Sequence, residues 1–285
     1  MSNAKEIREK IRRLEEVPTL PHSFTMILNT IEDEDSTVKD LADIIAKDQA
    51  LCSKILKMAN SAYYGRFRNV ATIEQAVIVV GFNEVRSASL TISVYDSFSS
   101  VVPAEVLEDF WIHVLTSAAA VRLLGDRGQE IHPEKVYIGA LLHDIGKLAL
   151  HSILGDAYFT VVQEARSRGQ ADHEAEKEAY QLHHGQVGGW LAERWHFPAE
   201  LMELIAQHHS PFAASVVRPK GVATVYLANK LAHQATAGEE NIWPFDGGSK
   251  EAMAVLQLDS EELAEMCGAV RRQQTAIKEV FSLIS

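Results

Sequence analysis

The run Ile138-Gly139-Ala140-Leu141-Leu142-His143-Asp144-Ile145-Gly146-Lys147-Leu148-Ala149-Leu150 carries the first decision about the fold. It is apolar almost throughout, yet it holds an imidazole, a carboxylate and an ammonium near its middle. Such groups are costly to bury unless they are paired or coordinated. Pro133 suits a first helical turn, and the segment predicts a helix from Pro133 to about Leu150. Adjacent helical positions lie about 100° apart, so His143 and Asp144 would offer neighbouring donors to one cleft. Lys147 follows at helical spacing, on nearly the same face.

Outward from this run, helix signals recur and strand signals are nearly absent. Thr37 with Asp40 reads as a capping box opening a helix to Asp48, with Leu41, Ile44 and Ile45 on one face. Ala50 to Ala62 repeats the pattern. A second box, Thr72-Ile73-Glu74-Gln75, opens a short helix that stops at Gly81. Further helices are expected over Ala104 to Leu124, Ala157 to Arg168, His184 to Trp195, Pro198 to His209 and Glu261 to Leu283. The fold class is therefore all-α. Ser97, Ser99, Ser100 and Pro103 break the pattern, which divides the chain into an N-terminal helical part (1–100) and a histidine-rich core (101–235). A turn-rich linker and helical addition follow (236–285), in which Leu256, Leu258, Leu263 and Val270 are expected to pack on the core.

The composition narrows the function. The chain has 285 residues and a formal charge of −12, of which residues 101–285 carry −10, and this acidity argues against general nucleic-acid binding. Lys54, Lys57, Arg66 and Arg68 interleave with Tyr63 and Tyr64, but so small a basic cluster in a near-neutral region reads as a helix face and loop. The alternating charges of residues 1–16 are unlike a signal peptide, and no apolar run is long enough to span a membrane, so a cytoplasmic protein is expected. Cys52 and Cys267 form no CxxC pair. Any metal would be held by imidazoles and carboxylates, ligands that suit iron, manganese, zinc or nickel.

Of 12 histidines, ten lie between His113 and His209. One His-Asp doublet is close to chance, about half an occurrence in a chain of this composition. Its apolar setting is what gives it weight. His113, His184, His208 and His209 fall on other expected helices, and helical bundles build metal sites from ligands projecting inward from several helices. His183 is expected to face solvent, and His132, His151, His173, His196 and His233 to be surface or helix-end residues. Glu174, Glu176, Lys177 and Glu178 read as a solvated charge run, and Trp111, Trp190 and Trp195 as packing residues.

Val17-Pro18-Thr19-Leu20-Pro21, Lys54 to Ala62 with Asn60-Ser61, Ile73 with Ala76, Gly81, Leu142 to Lys147, His184 with Gly188, Trp195 with Pro198, and His208-His209 follow one another as in the HDOD family. The sequence resembles these bacterial signalling-associated relatives of the HD metal-dependent phosphohydrolases over roughly residues 15–235. The resemblance implies an N-terminal helical region packed on an HD-type helical core. It also implies a ligand set of His113, His143, Asp144, His184, His208 and His209 for one or two divalent ions. The last position of the pattern, an aspartate in the relatives, falls on Asn229, a weaker and neutral ligand. Ser210-Pro211-Phe212 replaces the Gly-Tyr-Pro of cyclic-dinucleotide phosphodiesterases, which disfavours that activity.

The family points first to a signalling output module that binds a protein partner or small ligand, a nucleotide among the options, and retains the metal site. A metal-dependent phosphohydrolase acting on a nucleotide is the alternative; in that scheme Asp144 serves the metal and Lys147 neutralises a phosphate oxygen during attack by a metal-bound hydroxide. A di-iron oxygenase is the third reading.

Overall fold

The structure, a computed structural model, describes residues 4–31, 33, 35–61, 69–128, 130–236 and 247–284. The regular elements among them are all helical. The first six are α1 (Ala4–Arg13), α2 (His22–Asn29), α3 (Val38–Ala46), α4 (Gln49–Ala59), α5 (Ile73–Val80) and α6 (Phe82–Phe98). Next come α7 (Ala104–Leu124), α8 (Pro133–Leu142), α9 (Ile145–Leu154), α10 (Asp156–Ser167), α11 (Asp172–Tyr180) and α12 (His184–Arg194). The last are α13 (Ala199–Gln207), α14 (Pro219–Thr236), α15 (Gly247–Val255), α16 (Ser260–Arg272) and α17 (Gln274–Ile284). No single helix among the described residues is long and apolar enough to cross a membrane.

The chain forms two compact units, one of residues 1–18 and 109–274, the other of residues 19–108 and 275–285. In the smaller unit, local chemistry sets the helix ends. Thr37 Oγ1 accepts from the Asp40 N–H while Asp40 Oδ2 accepts from the Thr37 N–H, so this capping box closes as the sequence implies. At Thr72 only half of the box forms: Thr72 accepts from the Gln75 N–H, and the Gln75 side-chain Oε1 accepts from the Ala71 N–H instead. Gly81 ends α5 at φ 105°, a conformation open to glycine and strained for other residues. Asn60 caps α4 and pins a distant backbone segment. Its amide donates to the Leu56 and Val70 carbonyls at 2.9 and 2.8 Å, and its oxygen accepts the Val70 N–H at 2.8 Å. The helix ends at Ala59 with Asn60 as its C-cap, short of the expected Ala62; Ala62 itself and the residues Tyr63, Tyr64, Arg66 and Arg68 lie outside the described residues.

The larger unit holds the histidines. Here α12 packs on α9 and α13, α13 on α8, and α14 on α8, α15 and α16. The expected single helix from Pro133 to Leu150 is in fact two, broken at His143-Asp144. The Lys147 N–H bonds the Asp144 carbonyl at 2.8 Å, so Asp144 starts a new helix rather than continuing the old one. The break allows α9 to press against α12. A Cβ on Gly146 would stand 1.9 Å from the His184 carbonyl oxygen and 2.7 Å from the Gly188 nitrogen. The expected last helix, Glu261 to Leu283, is also two, parted at Gln273. Its second part belongs to the smaller unit, where Phe281 meets Tyr95 edge to face at 6.0 Å.

Two substitutions test these contacts. Gly146→Ala places a methyl group against backbone that has no rotamer to yield, and is expected to destabilise the larger unit by about 3 kcal/mol or more. Asn60→Ala removes three hydrogen bonds from the smaller unit and is expected to cost about 1–3 kcal/mol. Denaturant melts followed by far-UV circular dichroism would check both, and a Gly146→Ala protein as stable as the parent would refute the close crossing of α9 and α12.

Candidate metal centre

The corner between α8 and α9 turns His143 and Asp144 into the interior, where they are 0% and 1% exposed. His143 Nδ1 lies 2.8 Å from the Ala140 carbonyl, and His208 Nδ1 lies 2.8 Å from the Ile205 carbonyl. A carbonyl only accepts, so both Nδ1 atoms carry the proton and both Nε2 atoms are free to present a lone pair. His184, the first residue of α12, is oriented in the same way by Glu176, whose Oε2 accepts from His184 Nδ1 at 2.8 Å and from the His184 backbone N–H at 2.6 Å. Tyr158 donates to the other Glu176 oxygen at 2.7 Å. Partners of this kind, behind the ligand nitrogen, fix the ring and raise its basicity.

The free nitrogens converge on Asp144. Its Oδ1 lies 3.0 Å from His184 Nε2 and 3.5 Å from both His143 Nε2 and His208 Nε2. His209 Nε2 stands 2.7 Å from His184 Nε2. On the other side, His113 Nε2 is 3.5 Å from Asp144 Oδ2 and 3.4 Å from His143 Nε2. Ligand atoms about 2.0–2.2 Å from one ion stand roughly 3.3 Å apart in a tetrahedral set, which the spacings of 3.0 to 3.5 Å approach, while the 2.7 Å between His184 and His209 is shorter. Two overlapping groups result: Asp144, His184, His208 and His209, and His113, His143 and Asp144. Asp144 Oδ1 and His208 Nε2 are buried and make no hydrogen bond. Orphaned polar atoms of this kind are rare inside proteins, and a cation between them would satisfy both. The residues therefore fit a divalent ion.

The electrostatics agree. Burial pushes the Asp144 carboxyl up, but His143, Lys147 and His184 around it outweigh this and hold it well below the usual carboxylate range. Burial lowers His113 and His143 to about 3, which keeps both imidazoles neutral and ready to ligate. His184 goes the other way: burial lowers it, but the Glu176 and Asp144 carboxylates prevail and raise it to about 9. Lys147 bonds Asp144 Oδ2 at 2.8 Å and Asp172 Oδ2 at 3.2 Å, and Arg166 in turn holds Asp172 at 3.3 Å.

Six of the seven expected ligands thus come together from α7, the α8–α9 corner, α12 and the end of α13. Asn229 sits on α14, 5% exposed, with an unpartnered Oδ1. It lies one turn before His233, whose ring packs on that of His113 at 4.5 Å.

Several expectations made for neighbouring residues are overturned. Glu176 is not part of a solvated charge run but 0% exposed, because His184 and Tyr158 satisfy its carboxylate. His183 does not face solvent; it is buried at the start of α12, with its ring 5.8 Å from that of His209. His151 is buried in α9, whereas His173 is a helix-end residue as expected, second in α11, with its ring stacked on that of His209 at 3.9 Å. Asp172 and Glu176 were invisible as supporting residues, since their spacing marks only a polar α11. His132 does cap a helix, accepting from the Glu134 N–H, and Trp111 and Trp195 are buried packing residues.

Comparison with known proteins places this geometry in context. The HDOD domain model matches residues 17–211. An uncharacterised protein of Treponema pallidum (strain Nichols) is 24% identical over 252 residues, which cover 88% of this chain and 48% of that protein. The chain therefore spans about half the length of this curated relative. An HDOD domain protein from Geobacter sulfurreducens is similar in structure at TM-score 0.79 and 26% identity, over 97% of this chain and 99% of that one. A candidate signal transduction protein from Marinobacter aquaeolei VT8 shares the fold at TM-score 0.80 and 19% identity, over 100% of this chain and 62% of that one.

Glu176→Gln tests the support behind His184. The amide keeps the shape but loses the charge that holds the ring, and metal affinity is expected to fall about 10–100-fold. Competition against a chromogenic chelator would measure this, and an unchanged affinity would show that Glu176 does not serve the centre.

Proposed function

The chain belongs to the HDOD domain family, and from that premise we propose that it is a cytoplasmic signalling output module whose His/Asp centre holds a divalent metal and whose helical body binds a protein partner or small ligand. The observation that carries the metal reading is the buried pair of Asp144 Oδ1 and His208 Nε2, 3.5 Å apart and without hydrogen bonds. His113, His143, Asp144, His184, His208 and His209 would hold the metal, with Asn229 as a further candidate ligand. A bound divalent ion supplies Lewis acidity and a water of lowered pKa. The chain's own residues orient the set: Glu176 fixes His184, and backbone carbonyls fix His143 and His208.

Hydrolysis of a nucleotide phosphoester ranks second. It draws on the same ligands, but it needs a free cation for the phosphate, and Lys147 is engaged by two carboxylates. The net charge of −12 also repels anions unless the ion outweighs it locally. Air-sensitive iron in the centre would favour the oxygenase instead.

Elemental analysis of protein purified without chelator, beside a His143→Ala Asp144→Ala double variant, separates these readings. The parent is expected to carry metal and the variant none. A metal-free parent would refute the metal reading, and turnover of nucleotide or generic phosphoesters by the metal-bearing parent would promote the hydrolase over the module.

A further inference from the structure

We propose that the C-terminal helices carry a second binding site, for a small amphipathic carboxylate, in a cavity framed by α14, α15 and α16. All of its lining residues lie beyond residue 211, where the match to the HDOD domain ends, and none belongs to the histidine and aspartate set. The site therefore goes beyond the metal reading and does not depend on it.

Both α15 and α16 pack on α14, in the larger unit. The space they leave is a cavity of about 670 Å³, lined by Gln234 from α14, Lys250 and Met253 from α15, and Leu263, Cys267 and Arg271 from α16. Small-molecule sites have volumes of roughly 300–1,000 Å³ and mostly apolar walls with a few placed polar groups. Here Leu256 and Val270 are buried, whereas Met253 and Cys267 are half-buried and line the cavity. They leave apolar surface that a hydrocarbon body would cover.

The charges select the head group. Lys250, in the first turn of α15, and Arg271, in the last turn of α16, are the lining residues farthest along each helix from the connection at 256–259. Neither cation has a carboxylate partner among the described residues. Arg271 is steadied instead by the Gln234 carbonyl, which accepts from its guanidinium at 3.1 Å and leaves its other N–H donors open. Asp259, the one acid in the lining, sits at the connection and caps α16, accepting from the Glu261 and Glu262 N–H groups at 2.9 and 2.8 Å. The lining thus carries one net positive charge in a chain of net charge −12. A monoanion balances it, and a guanidinium fork matches the planar geometry of a carboxylate.

The probe is decanoate, added to the whole chain while Cys267 and Cys52 are alkylated and followed by mass spectrometry. Decanoate is expected to slow alkylation of Cys267 and leave Cys52, which lies in the other unit, unchanged. Decyltrimethylammonium, of equal chain length and opposite charge, is expected to protect neither. The Lys250→Gln Arg271→Gln double variant is expected to bind decanoate about 10-fold more weakly or worse, and Ala264→Trp, which puts an indole on the cavity wall, not to bind it. Equal protection by the cationic chain would overturn the choice of an anion. Equal protection of both cysteines, or undiminished binding by Ala264→Trp, would overturn the site. Isothermal titration calorimetry with decanoate decides the same question if Cys267 does not react in the free protein, and absence of binding there would overturn the proposal. Circular dichroism checks folding, and if the double variant does not fold, Lys250→Glu alone takes its place. Each of these failures leaves the metal reading standing, since elemental analysis tests that separately.

Discussion

A carboxylate with 1% exposure has to be compensated from within the protein, and in the larger unit much of the local structure serves that need around Asp144. One oxygen is held by the Lys147 ammonium and the other is surrounded by imidazole nitrogens. The corner between α8 and α9 places the doublet at a helix junction and lets α9 cross close to α12. Gly146 and Gly188 permit the crossing, and the crossing delivers His184 to Asp144.

Behind this lies a second layer of charge. Glu176 raises His184 and fixes its ring, Tyr158 satisfies the remaining Glu176 oxygen, and Asp172 with Arg166 clamps Lys147. The preorganisation is therefore electrostatic as well as geometric: neutral His113 and His143, an ionised Asp144, and nitrogen lone pairs aimed inward by backbone carbonyls.

Much of this was legible from residue types and spacing. Capping at Thr37, the stop at Gly81 and the helix Ala104 to Leu124 follow from local rules, because N-caps, glycine stops and apolar periodicity act within a few residues. Six ligands were named from one doublet in an apolar run and from family resemblance. The supporting residues were not: Glu176 sits among Glu174, Lys177 and Glu178, and nothing in that run distinguishes the one carboxylate that points inward. The break at His143-Asp144 was missed for a similar reason. Apart from Gly139 and Gly146 the residues on either side read as apolar helix, and the close approach of α9 to α12 is not visible in the sequence.

The sequence by itself determined an all-helical chain with a histidine and carboxylate centre built without cysteine, since helix propensity, capping and ligand chemistry are properties of residues and their near neighbours. Tertiary structure alone decided which polar groups are buried together, where the Pro133 helix breaks, and that Lys147 is committed to Asp144 and Asp172. These depend on distances between segments far apart in the chain, and burial changes the energy of an ionisable group by more than any local preference can.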